Sequence, residues 1–348
     1  MIITRKEINR YNSIIGNIKK DNVLVDIHVH PFDLFTENMN YICRTKGIYS
    51  NCEEQYSPPF ITAMDVNTSK QKQVMLKVFT SSELGNGKVF KSIDFTGSDV
   101  LKDYMKLCNL DRSVLLPVAI DDESNRKQMK MLNEMFGSNP MYYLGYSIPP
   151  EIPFDLIYKH LFKIMENQTI TILKIHPGIN KLDLSSREGL NHINAILSSS
   201  GKLKIPCIIH GGKTQNSDGS INDFSSIDHL SNIDWSITSE KVIIAHCGAF
   251  LSDLYQFDNS ILPSLKKLLN RYSNLMVDTS GLDTDILDSL FRNIDSSRII
   301  FGSDALYFSQ WKTITKILYT LENLQMSIGD IFLEISSDNP LKKILKEK

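Results

Sequence analysis

Disulfide frameworks, membrane spans and an excess of charge of either sign are all missing from this sequence. Its five cysteines (Cys43, Cys52, Cys108, Cys207 and Cys247) make no CxxC pair and no regular spacing. An odd count in a chain of 348 residues argues against a disulfide scaffold and for reduced thiols, as in the cytoplasm. No run approaches the ~20 apolar residues of a membrane span. The opening MIITRKEINRYN carries charge where a signal peptide needs an apolar stretch. The formal net charge is -2, and no basic stripe is interleaved with aromatics, so neither nucleic acid nor an anionic membrane is an expected partner. What remains is a cytoplasmic protein that meets a small-molecule substrate, with a homo-oligomer left open.

With 42% hydrophobic and 22% charged residues the composition is that of an ordinary globular protein. Residues 4–20 place Ile8, Tyr11, Ile15 and Ile18 at helical spacing, which predicts an amphipathic helix. The β-branched run VLVDIHV (23–29), closed by Pro31, reads as a buried strand. From 31 to about 112 the pattern is irregular, with Pro58-Pro59 and a Gly-rich turn near 85–87. That is far longer than a normal connection and reads as an inserted, cap-like excursion.

The chain then becomes rhythmic. Short apolar runs recur at 113–120, 141–148, 171–177, 204–211, 241–248, 274–280 and 298–304, with helix-like stretches at 121–136, 154–166, 186–199 and 282–293. Runs of Ile, Val and Leu without polar alternation are strands buried on both faces, and their alternation with helices implies parallel βαβ units. With the first strand there are about eight units, the number that closes a (β/α)8 TIM barrel, and a single barrel domain over 1–348 with a long insertion fits the length. An open doubly wound sheet is disfavoured, because no GxGxxG follows the first strand.

The polar residues of these runs gather at their C-terminal ends: His28 and His30, Lys174 and His176, His210, His246, and Asp304. Barrel enzymes carry their active site at that end. Residues two apart on a strand share a face, so His28 and His30 can grip one ion. His210 and Asp304 complete a three-nitrogen, one-oxygen set suited to zinc, manganese or iron. By the same parity Asp26 lies one step deeper on that face, as a hydrogen-bond partner of the ligands. His246 reads as a base, an orienting group or a ligand to a second ion. Lys174 reads as an anchor for an anionic substrate, a carbamylated bridge between two metals or a paired structural cation. His176, before Pro177, reads as a cap of the strand end. Lys213 and Arg44 are candidates for gripping a carboxylate, although solvated positions suit both. Cys247 reads as a small buried residue.

Taken in order, VDIHVHP, LKIHPG, IIHGG, IAHCGA, FGSDA and SSDNPLKKIL resemble the amidohydrolase superfamily. The nearer resemblance is to its amidohydrolase-related branch, which contains the zinc-dependent aminocarboxymuconate-semialdehyde decarboxylase and related hydrolases. It spans residue 23 to the C-terminus, apart from the insertion. The resemblance implies that His28, His30 and His210 are ligands and that Asp304 is both ligand and proton shuttle. It further implies that His246 is catalytic in a one-metal site or a ligand in a two-metal site, and KIHP points to one metal. The function expected is hydrolysis of a small amide, ester or lactone, with a carboxylate on the substrate, by a metal-activated water. Non-oxidative decarboxylation in the same site is the rival, and a non-catalytic metal-containing binding barrel is the rival of another class.

Overall fold

The computed structural model describes residues 2–30, 63–65, 101–102, 105–106, 108–215, 220–305, 308 and 310–347. Arg44 and most of the insertion lie outside the described residues. Every apolar run forms a strand in one parallel sheet: β1 (Val25–Val29), β2 (Arg112–Leu115), β3 (Tyr142–Ser147), β4 (Ile172–Ile175), β5 (Cys207–Ile209), β6 (Val242–Ile244), β7 (Leu275–Asp278) and β8 (Ile299–Ile300). Each strand pairs with the next in chain order. The seam between β1 and β8 is held by backbone bonds: Ile27 N–H to the Phe301 carbonyl (3.2 Å), Asp304 N–H to that of His28 (2.8 Å) and His30 N–H to that of Ala305 (2.9 Å). The chain is a (β/α)8 barrel.

The strands are buried on both faces because each face meets apolar partners. Val25, Ile27, Val114, Ile172, Ile208, Ile243, Met276 and Ile300 fill the inside of the barrel. Their alternates pack outward under the helices. Those helices include α1 (Arg5–Lys19), α2 (Asp122–Phe136), α3 (Ile157–Met165), α4 (Arg187–Leu203), α5 (Leu262–Arg271), α6 (Thr284–Asn293) and α7 (Gln310–Asn323). The ends follow local chemistry. Asp121 and Ser124 form a reciprocal capping box at the start of α2, and Ser186 caps α4 by accepting from Gly189 N–H. Helix α4 runs past the Ser-rich stretch where the sequence predicts its end. There Ser199 and Ser200 are buried, and their hydroxyls donate to the carbonyls of Ala195 and Ile205.

The far end of the barrel is stoppered by the C-terminal segment. Ile344 joins the inner cluster, with Leu341 and Leu345 against it. Asn339 Nδ2 donates to the Ile299 carbonyl (2.6 Å), and Glu347 pairs with Arg112 and Tyr143. The opposite end, where the strands terminate in histidine and aspartate, is left for chemistry.

Candidate functional site

Strand β1 is not regular. Its register to β2 shifts between Asp26 and Val29, so a bulge interrupts the alternation of faces. Ile27 packs in the inner cluster, yet His28 and His30 both reach the mouth. The parity reading of Asp26 is therefore corrected. Its carboxylate accepts from Gln310 Nε2 on α7 (2.8 Å), from Ser303 N–H and Oγ–H (3.0 and 2.5 Å) and from His28 N–H (3.1 Å). It ties β1 to the segment that carries Asp304 rather than facing the histidine rings. Burial pushes Asp26 up to about 6 against these hydrogen bonds.

At the mouth three donors converge. His28 Nε2 lies 3.1 Å from His30 Nε2, and Asp304 Oδ1 lies 3.5 Å from the first and 3.2 Å from the second. All three side chains are buried. The other nitrogen of each ring is already committed: His28 Nδ1 to Asp278 Oδ2 at 2.7 Å, and His30 Nδ1 to the Leu116 carbonyl at 2.9 Å. Both partners are acceptors, so each Nδ1 carries the proton and each Nε2 presents a lone pair. Burial, followed by the nearby Lys174 charge, holds His28 well below the usual imidazole range, and burial also lowers His30. For Asp304 burial works against the charge. The surrounding histidines, His30 first and then His28 and His246, outweigh it and keep the carboxyl below its ordinary range. Two imidazole nitrogens that carry no proton and a carboxylate oxygen thus face one another, an arrangement that suits a cation. This donor chemistry fits a divalent ion held by His28, His30 and Asp304, the one such group among the described residues.

The remaining predicted residues line the same mouth in different postures. Lys174 is buried, with Nζ 2.9 Å from His28 Nε2, and burial lowers it to about 8 against the fields of Asp304 and Asp278. His210 stacks on His176 at 4.1 Å between ring centres and meets His246 edge-on at 4.9 Å. Its Nε2 contacts the Lys213 carbonyl (3.2 Å), so it stands beside the three convergent donors and is not one of them. Lys213 contributes that carbonyl. His176 accepts from Ile179 N–H (3.4 Å), closing the turn at the strand end.

His246 has φ 55° and Cys247 φ 52°, left-handed values uncommon outside glycine. The turn fits because Gly211, on the neighbouring strand end, carries no Cβ, which would stand 2.8 Å from the Ala245 carbonyl and from Gly248 Cα. His246 Nδ1 lies 3.0 Å from the Ser280 carbonyl, so that nitrogen donates. Cys247 donates Sγ–H to the Asp278 carbonyl (3.1 Å), and burial raises its thiol well above the ordinary range.

Asp278 and Ser280, which touch both His28 and His246, are not among the residues the sequence reading selects. The signal is present in NLMVDTS, a carboxylate at the C-terminal end of an apolar strand. It is the pattern that singles out Asp304.

No family model matches the chain, and no curated protein matches it. Solved structures do share its fold. An amidohydrolase from Burkholderia multivorans with bound zinc aligns at 11% identity over 94% of this chain and 100% of that one, with a TM-score of 0.57. A 5-carboxyvanillate decarboxylase from Novosphingobium aromaticivorans with bound manganese aligns at 12% over 93% and 97%, with a TM-score of 0.57. A probable 2-pyrone-4,6-dicarboxylic acid hydrolase from Acinetobacter baumannii aligns at 12% over 93% and 99%, with a TM-score of 0.54. The (β/α)8 barrel expected from the sequence is the fold that this chain shares with these structures.

Proposed function

We propose that this chain is a metal-dependent hydrolase of the amidohydrolase type, acting on a small amide, ester or lactone that carries a carboxylate. The observation that carries the reading is the meeting of three acceptors, His28 Nε2, His30 Nε2 and Asp304 Oδ1, at the C-terminal end of a barrel. A single divalent ion, zinc in first place and manganese or iron in second, would be held there, with His210 at the end of β5 as the fourth ligand. Such an ion supplies a Lewis acid and a water of lowered pKa.

The protein groups divide the remaining work. Asp304, kept ionised, takes the proton of the attacking water and returns it to the leaving group. His246, with Nδ1 committed to the Ser280 carbonyl, keeps Nε2 for the chemistry: as a neutral ring a base, as an imidazolium a donor to the developing oxyanion. Lys174 provides the buried positive charge that pairs with the substrate carboxylate. Non-oxidative decarboxylation of an unsaturated or aromatic acid is the second reading, supported by the decarboxylase of the same fold. Incubation of the metal-loaded protein with carboxylate-bearing lactones, amides and phenolic acids separates them. Hydrolytic products without gas support the proposal, released carbon dioxide overturns it in favour of the lyase, and no turnover of any class favours a binding barrel.

A further inference from the structure

We propose that Asp278 is the positioning residue of this centre: it fixes the proton on His28 so that Nε2 is bare for the metal, and it pins the His246 backbone in its turn. This rests on the metal-dependent reading above. Asp278 ends β7, is fully buried, and its carboxylate contacts only donors. Oδ1 accepts from His246 N–H (2.7 Å), Ser280 N–H (3.1 Å) and Ser280 Oγ–H (2.5 Å). That leaves Oδ2 for His28 Nδ1 at 2.7 Å.

The direction of each bond follows from proton counting. Ser280 Oγ has one hydrogen, which goes to Asp278, so toward His28 Nδ1 (3.1 Å) it can only accept. Both neighbours of His28 Nδ1 are then acceptors, and the ring is held as the Nδ1–H tautomer, the form whose Nε2 can ligate. The packing serves the same pair. A Cβ on Gly302 would stand 2.8 Å from His28 Cβ and 3.2 Å from Asp278 Oδ2, so the glycine of FGSD leaves room for them to meet. The second arm reaches His246: Oδ1 holds its N–H and the Asp278 carbonyl holds the Cys247 thiol, across a turn where two non-glycine residues are left-handed.

Asp278→Asn tests this with almost no change of size. Oδ1 keeps its three donors, so the amide nitrogen replaces Oδ2 and points N–H at His28 Nδ1. The amide then favours a His28 proton on Nε2, against the Lys174 Nζ that lies 2.9 Å from that nitrogen. The readout is nitrogen NMR of the metal-free protein with 15N-labelled histidine, the His28 signals being assigned by their loss in His28→Gln, together with a zinc titration. The expected result is an Nδ1–H ring in the wild type, an Nε2–H ring in Asp278→Asn, and a zinc affinity lowered about 10- to 100-fold. An unchanged His28 tautomer in Asp278→Asn, with only a lower thermal midpoint, would make Asp278 a brace and overturn the proposal. Should the variant fail to fold, the wild type still decides, because His28 as Nε2–H or as an even mixture contradicts it directly. Zinc that fails to bind, or an absence of hydrolysis, would count against the metal-dependent reading and leave the tautomer result standing.

Discussion

At the scale of single residues, the centre depends on which atom of each side chain carries the proton. His28, His30 and His246 each give Nδ1 to an acceptor, and Asp304 faces two of the rings. Asp304→Asn keeps the shape and loses the base. Its kcat should fall about 100- to 10,000-fold, measured on whichever substrate the wild type turns over. A loss of less than tenfold would remove Asp304 from proton transfer. Cys207 and Cys247 illustrate the opposite role. Burial pushes Cys207 up to about 12, so at pH 8 roughly one thiol in ten thousand is ionised. Since the thiolate is the reactive form, raising the pH toward 9 increases labelling tenfold per unit while leaving it small. Mass spectrometry after iodoacetamide treatment should find Cys207 and Cys247 unmodified in the native protein and modified in denaturant.

At the scale of elements, strand type was legible and strand detail was not. Runs such as KVIIAHCG and RIIFGSD announce buried strands by β-branched content alone, and eight of them in sequence close a barrel. The rule that residues two apart share a face holds for His28 and His30. It fails for Asp26, because a bulge inserts one residue and the alternation starts again on its far side. A bulge depends on the partner strand and on the seam to β8, neither of which is written in VLVDIHV. Asp278 was readable by the strand-end rule but was masked by the apolar company it keeps. The C-terminal stopper is likewise a tertiary property: DNPLKKIL shows helical spacing, not that Ile344 enters the barrel floor. Ile344→Ala should lower unfolding free energy by about 2–5 kcal/mol without touching the mouth. Denaturant unfolding with unchanged metal content checks it, and a loss below 1 kcal/mol would place the segment outside the core.

At the scale of the whole molecule, the barrel brings residues from eight distant runs to one rim. His28, His30 and Asp304 meet although 274 or more positions separate the aspartate from either histidine in the sequence. Strand order alone makes this meeting readable, because the first and last strands of a barrel are neighbours. His210 ends β5, four strands from β1 along the rim, beside His176 and His246. No described helix is long and apolar enough to cross a membrane. The central claim is the metal, and elemental analysis of the purified protein beside His28→Ala and Asp304→Ala tests it most directly. About one divalent ion per chain in the wild type, lost in both variants that remain folded, is the predicted result. A folded wild type that holds no metal after reconstitution would contradict the account.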